Sequence, residues 1–147
     1  NVLHSLLSCC SRVGMNIRVA TPKGYGPNKE ILKNAKLSAK KMGAIIEVGN
    51  DPKEAAKDAD VIYTDVWVSM GQESEKNIKI KTFKGFQVNS KLVGLAKKGV
   101  LVMHCLPAHR GEEITDDVIE SKLSIVFDQA ENRLHTQKAI IMKLMGD

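Results

Sequence analysis

The sequence predicts an α/β fold: a three-layer αβα sandwich in which a Rossmann-like parallel sheet of about five strands carries helices on both faces. Three observations predict it. Short apolar runs of strand length alternate with helix-patterned segments along the whole chain, and the connections are too long for hairpins. The run Val100-Leu101-Val102-Met103, flanked by Gly99 and Pro107, is unbroken rather than alternating, as in a strand covered on both faces. The composition, 43% hydrophobic and 27% charged over 147 residues, is that of one soluble globular domain with one compact core.

The elements follow in order. Val2 to Val13 carries apolar residues at 2, 3, 6, 7, 10 and 13, the stripe of an amphipathic helix, and Gly14 closes it. Asn16 to Thr21 is the first strand and runs into the turn-rich Pro22 to Pro27. Asn28 caps a helix through Met42 with Gly43 behind it, and Ala44 to Val48 is the second strand. Pro52 opens a short helix reaching about Lys57. Val61 to Tyr63 is the third strand and delivers Thr64 and Asp65. A polar helix covers Glu73 to Phe83, and Asn89 caps another that ends at Lys97. The fourth strand begins at Val100 and stops at Pro107, which cannot continue the pairing. Ile114 to Ser121 is a short helix, Leu123 to Phe127 a fifth strand, Asp128 to Arg133 a polar loop, and Leu134 to Met145 a closing apolar helix.

Composition also excludes classes. The net charge of +5 comes from scattered lysines, and with 4% aromatic residues there is no interleaved basic and aromatic face of the kind nucleic acids need. No apolar run approaches the roughly 18 residues of a membrane span. Cys9, Cys10 and Cys105 are odd in number and form no C-x-x-C, so neither a disulfide framework nor a zinc site is indicated, and a reducing compartment is expected. The first residue is Asn1 rather than methionine, so further sequence is expected upstream.

In open parallel sheets ligands bind outside the carboxyl ends of the strands. Asp65, the segment His104 to Leu106, and Arg133 therefore converge on one edge. A carboxylate, a thiol, the hydroxyl of Ser69 and a guanidinium together can hold a zwitterion beside an oxyanion, Asp65 suiting an ammonium and Arg133 a carboxylate or phosphate. Taken singly, each residue has a plainer reading. Cys105 is a small core residue, Asp65 and Ser69 turn residues, Met70 core, Arg133 a surface ion pair, and His104 a hydrogen-bonded residue that shapes the turn. Cys105 and His109 beside Pro107 make a poor metal site.

The residues then identify a family. His104-Cys105-Leu106-Pro107, preceded by Asp65-Val66-Trp67-Val68-Ser69-Met70-Gly71-Gln72-Glu73 and followed by Ala130-Glu131-Asn132-Arg133, closely resembles the ornithine-binding, C-terminal half of the ornithine carbamoyltransferases, within the aspartate/ornithine carbamoyltransferase family. Asn1-Val2-Leu3-His4-Ser5 and Ala20-Thr21-Pro22-Lys23-Gly24-Tyr25 are similar to that family's opening helix and following loop, so the resemblance covers essentially the whole chain. It implies that Asn1, Asp65, Ser69 and Met70 hold the amino-acid end of ornithine, Met70 through its backbone. It implies that Cys105 sits beside the reacting δ-amine as the catalytic residue, that Cys105 and Leu106 offer backbone carbonyls to the carbamoyl NH2, and that Arg133 helps bind carbamoyl phosphate. No metal and no cofactor are implied. The reaction implied is attack of the δ-amine on the carbamoyl carbon, giving citrulline and phosphate.

Such an amine has a reference pKa of about 10.4, and deprotonating it at pH 7 costs about 4.6 kcal/mol, so a site must desolvate it or supply a base. A thiol of reference pKa about 8.5 is near enough to serve if its thiolate is stabilised. An aspartate-specific relative is expected to have proline in place of Cys105 and to lack Ser69-Met70-Gly71. Relatives acting on putrescine or an acylated ornithine are expected to alter the grip on the α-amino group. A nucleotide-binding module would want G-x-G-x-x-G after the first strand, which Gly24-Tyr25-Gly26-Pro27 does not supply, and a non-catalytic binding domain is the remaining alternative.

The resemblance further implies an amino-terminal domain, absent here, whose Ser-Thr-Arg-Thr type loop binds the phosphate at a helix N-terminus, and a full-length homotrimer or larger assembly. A cytoplasmic location is expected, or the mitochondrial matrix for a eukaryotic source. The 147-residue chain by itself is expected to make no citrulline at a useful rate, measured colorimetrically with ornithine and carbamoyl phosphate; robust turnover would overturn that expectation.

Overall fold

The structure is a computed structural model that describes residues 1–68 and 76–146. Helix α1 (Val2–Val13) ends at Gly14, whose φ of 76° is the left-handed cap that an L side chain rarely adopts. Strand β1 (Ile17–Ala20) leads through the loop to α2 (Lys29–Met42), where the Asn28 side chain accepts from the N–H groups of Glu30 and Ile31. Strand β2 (Ile46–Gly49) is followed by α3 (Pro52–Ala56), capped by Asp51, and then by β3 (Val61–Thr64). Helix α4 (Lys76–Phe83) follows; its expected start at Glu73 lies outside the described residues. Helix α5 (Ser90–Val93), capped by Asn89, is shorter than expected. At Gly94 it gives way to i→i+3 turns, Leu95 N–H to Leu92 and Ala96 N–H to Val93. Strand β4 (Leu101–His104), α6 (Asp116–Ile119) and α7 (Val126–Met145) complete the chain.

All strand pairing is parallel, as the alternation predicts. The strands form two pairs: β1 with β2, Ile17 opposite Ile46, and β3 with β4, Val61 opposite Leu101 and Thr64 opposite His104. No ladder joins the pairs among the described residues. Instead Arg18, on β1, donates to the carbonyls of Glu54 and Lys57 at the end of α3, where a helix C-terminus favours a cation.

The expected fifth strand at Leu123 to Phe127 is corrected. The chain pairs there for one bridge, Ser124 beside Val102, with Val102 N–H to Leu123 and Ile125 N–H to Val102, and Val126 then starts α7. The apolar run belongs to a docking helix turn rather than a strand: Val126 is fully buried while Phe127 is exposed. The expected loop Asp128 to Arg133 is likewise helix, so α7 runs unbroken for 20 residues.

Two hydrophobic clusters replace the single core expected. Leu7, Val19, Ala35, Ala39, Ala44 and Ile46 close α1 and α2 over β1 and β2. Val88, Val100, Val102, Ile114, Val118 and Ile119 surround β3 and β4 with Ile62. The clusters follow the two strand pairs, each covered by its own helices. No helix among the described residues is long and apolar enough to cross a membrane.

Ile114 is 0% exposed in the second cluster, directly behind the turn that leaves β4. Ile114→Ala is expected to destabilise by about 2–5 kcal/mol and Ile114→Val by about 0.5–1.5 kcal/mol, read from urea midpoints at constant slope.

Candidate active site

The carboxyl edge of the second strand pair carries the reactive groups. Strand β3 ends at Thr64 and hands over Asp65, while β4 ends at His104 and hands over Cys105. Thr64 pairs with His104, so the two following residues lie side by side, and Cys105 Sγ donates to Asp65 Oδ1 at 2.9 Å. The same oxygen accepts the Val66 N–H at 2.8 Å, which turns the carboxylate back over its own strand end.

The turn after β4 is held from beneath by a buried histidine. The Leu106 N–H donates to His104 Nδ1 at 2.8 Å; a backbone N–H can only donate, so Nε2 carries the ring proton and gives it to Glu113 Oε1 at 3.0 Å. Glu113 Oε1 also accepts the His109 N–H at 2.6 Å. His104 and Glu113 are 1% and 0% exposed, so the pair is insulated from water and acts as a strut for the segment between them. Leu106 sits at φ 53°, a left-handed conformation that costs a non-glycine residue about 1–2 kcal/mol and is retained where surrounding structure enforces it. The strut enforces it here, and the Leu106 carbonyl is aimed accordingly.

The thiol is not poised as a thiolate in this arrangement. Burial, the hydrogen bond to Asp65 and the charge of that carboxylate push Cys105 up to about 12. Asp65 has the wrong charge to stabilise a thiolate at Cys105. Tyr63 is raised as well, chiefly by burial and by its closeness to Cys105.

Of the residues singled out from sequence, Asp65 and Cys105 are brought into contact. Leu106 follows in the same turn, and His104 takes the structural place expected of it. Asn1 precedes α1, whose His4 accepts the Asn28 N–H at 3.0 Å through Nε2, so the start of α1 lies beside the loop leaving β1. Ser69 and Met70 lie outside the described residues. Arg133 is on α7, in an open groove of about 420 Å³ shared with Met103, Asp128, Gln129, Asn132 and Thr136. Met103 and Cys105 are two apart on the extended chain and share a face, which relates that groove to the thiol.

Three contributors were not singled out from sequence. Gln129 donates through Nε2 to the Tyr63 hydroxyl at 3.0 Å and accepts the His104 N–H through Oε1 at 3.1 Å. It lies in the segment read as a polar loop, just before the Ala130 to Arg133 motif and one helical turn before Arg133. Glu113 had no local signal, since a buried partner nine residues from a histidine has no fixed spacing. The third is an aromatic cluster in which Phe83 meets Tyr25, Trp67 and Phe86, with Tyr25 and Phe83 edge to face at 4.9 Å. For metals, His109, Glu112 and Glu113 bring ligand atoms within 4.8 Å of one another, away from Asp65 and Cys105, but Glu113 is committed to the strut and Glu112 pairs with Lys76.

A parallel α/β domain that pairs a thiol and a carboxylate at adjacent strand ends, with a guanidinium on its last helix, presents the kinds of group that suit an amino acid and an anion. Residues 1–144 match the Asp/Orn binding domain model of the aspartate/ornithine carbamoyltransferases, and the chain belongs to that family. It is 57% identical to an ornithine carbamoyltransferase of Archaeoglobus fulgidus over 99% of this chain and 46% of that protein. The solved ornithine carbamoyltransferase of Pyrococcus furiosus superimposes with a TM-score of 0.92 at 55% identity, covering 97% of this chain and 45% of the other. An acetylornithine transcarbamylase complexed with acetylcitrulline gives a TM-score of 0.86 at 31% identity over 99% of this chain and 44% of that one. The chain thus spans about half the length of the relatives it matches.

Because Asp65 raises the thiol, Asp65→Asn is expected to bring Cys105 back toward the ordinary thiol range. Each unit recovered multiplies the thiolate fraction about tenfold below the pKa. Peptide-resolved alkylation of Cys105 by iodoacetamide at pH 9 should therefore be faster in Asp65→Asn than in the parent protein.

Proposed function

We propose that this chain is the ornithine-binding half of an ornithine carbamoyltransferase, transferring the carbamoyl group of carbamoyl phosphate to the δ-amine of ornithine. The observation that carries the reading is the Asp65 and Cys105 pair at one sheet edge, in a chain so similar to proteins of that name. Asp65, with Asn1, Ser69 and the backbone of Met70, takes the amino-acid end of ornithine. The carbonyls of Cys105 and Leu106 take the carbamoyl NH2, the latter aimed by its left-handed backbone. Arg133 faces the phosphate, whose other partners belong to an amino-terminal domain. The full-length protein is then a cytoplasmic homotrimer or larger assembly that meets ornithine and carbamoyl phosphate in solution.

The δ-nitrogen attacks the carbamoyl carbon, a C–N bond forms, and the resulting tetrahedral centre expels phosphate as its C–O bond breaks. The amine must shed a proton on the way. Beside the Asp65 carboxylate Cys105 donates its own proton, so a base role needs that charge relieved. An α-ammonium seated on Asp65 neutralises the charge that raises the thiol and competes for the oxygen it donates to. The thiol then relaxes downward and releases its proton to solvent, and the thiolate left behind takes the proton that the attacking amine sheds. This ordering protects the site from idle thiolate chemistry.

A second reading, transfer to an acylated ornithine, has support in the likeness to an acetylornithine transcarbamylase. Asp65 disfavours it, since an acylated nitrogen carries no charge for the carboxylate to bind. In the full-length enzyme, Cys105→Ala is expected to lower kcat by about 10²-fold or more, the range for removing an acid–base group, and to alter the pH profile. The KM for carbamoyl phosphate should change little, and ornithine should outcompete N-acetylornithine and putrescine in citrulline-type product formation. Full turnover with an unchanged profile would end the base role, and preference for N-acetylornithine would favour the second reading.

A further inference from the structure

The contact between Cys105 and Asp65 is the last link of a longer hydrogen-bonded line that begins in α7. The His104 N–H donates to Gln129 Oε1, and Gln129 Nε2 donates to the Tyr63 hydroxyl. Tyr63 is paired with Met103, two residues before Cys105, and lies near enough to the thiol for each to perturb the other, while Cys105 Sγ donates to Asp65 Oδ1. The polarity of the line is determined at its start. A backbone N–H only donates, so Gln129 meets it with the carbonyl oxygen and turns its amide toward Tyr63. The tyrosine oxygen accepts that N–H, leaving its own proton for the sulfur, and the sulfur in turn keeps its proton for Asp65. Every donor along the line points toward the carboxylate.

We propose that Tyr63, held by Gln129, is a positioning residue for the Cys105 thiol, fixing the sulfur on the Asp65 side and keeping it hydrogen-bonded when an incoming ammonium takes Asp65. The proposal rests on the carbamoyl-transfer reading for its kinetic consequence and stands on the local geometry for its chemical one. Gln129 satisfies only the acceptor side of the Tyr63 hydroxyl, which leaves that hydroxyl's proton for a second partner. The line does more, because Gln129 and Arg133 are one turn apart on the same face of α7. The seating of one helix thereby sets both the thiol, through Tyr63, and the guanidinium in the adjoining groove. The two ends of the reaction are held to one scaffold.

A donor to sulfur favours the thiolate, the opposite of what Asp65 does. In the full-length enzyme, Tyr63→Phe is therefore expected to slow peptide-resolved iodoacetamide alkylation of Cys105 at pH 9 by about 2- to 10-fold, the range for one hydrogen bond, where Asp65→Asn speeds it. It should lower kcat by a similar factor and leave the KM for carbamoyl phosphate unchanged. Gln129→Glu supplies the second arm. It still accepts the His104 N–H, but it draws the tyrosine proton to itself, so it should reproduce the Tyr63→Phe alkylation and kcat effects. Unaltered Cys105 alkylation in both variants, with thermal melts matching the parent, would overturn the proposal. If the parent enzyme failed to carbamoylate ornithine, the alkylation readout would still decide the positioning claim while the proposed function fell separately.

Discussion

The buried pairing of His104 with Glu113 is the constraint on which the site depends. A parallel strand that simply ended would release its chain to solvent, and the residues beyond it would have no defined direction. Here the imidazole bonds forward to Leu106 and across to Glu113, and Glu113 bonds back to His109, so six residues are tied to one insulated carboxylate. Removing either partner would leave buried polar groups unpaired, at about 1–3 kcal/mol each. That margin is enough to keep Leu106 in a conformation the isolated dipeptide would avoid.

Charge explains the chemistry in the same terms. A thiol beside a carboxylate is a poor thiolate, and in the proposed reading an ammonium at Asp65 changes that balance. An ammonium supplies what both groups lack: it pairs with Asp65 and relieves Cys105. Tyr63 and Gln129 then matter because, once Asp65 is occupied, they are the sulfur's attachment to the protein. The chain belongs to the aspartate/ornithine carbamoyltransferase family and spans about half the length of the relatives it matches.

Much of the fold was legible from local signals. The spans of α1 and α2 follow from glycine at each end and from Asn28, because caps and a 3.6-residue stripe are local physics. The strands were legible as apolar runs, but their grouping into two pairs was not, since which edges meet depends on side chains such as Arg18 reaching across to α3. The segment Leu123 to Phe127 misled because an apolar run of five suits a strand and a helix turn equally; burial of Val126 beneath the start of α7 decided it. With that, Arg133 moved from a loop to a helix face.

Within the site, motif residues named Asp65, Cys105, Leu106 and Arg133, and parallel topology alone was enough to place the first two on one edge. Composition, caps and strand ends thus determined the class of fold and the reactive residue types, because each depends on neighbours a few positions away. Only the tertiary structure decided that Cys105 donates to Asp65, that His104 bonds Leu106 and Glu113, and that Gln129 ties α7 to Tyr63 and to the end of β4. Those outcomes depend on burial and on partners up to 66 residues apart, distances over which hydrogen-bond geometry has no periodic trace in a sequence.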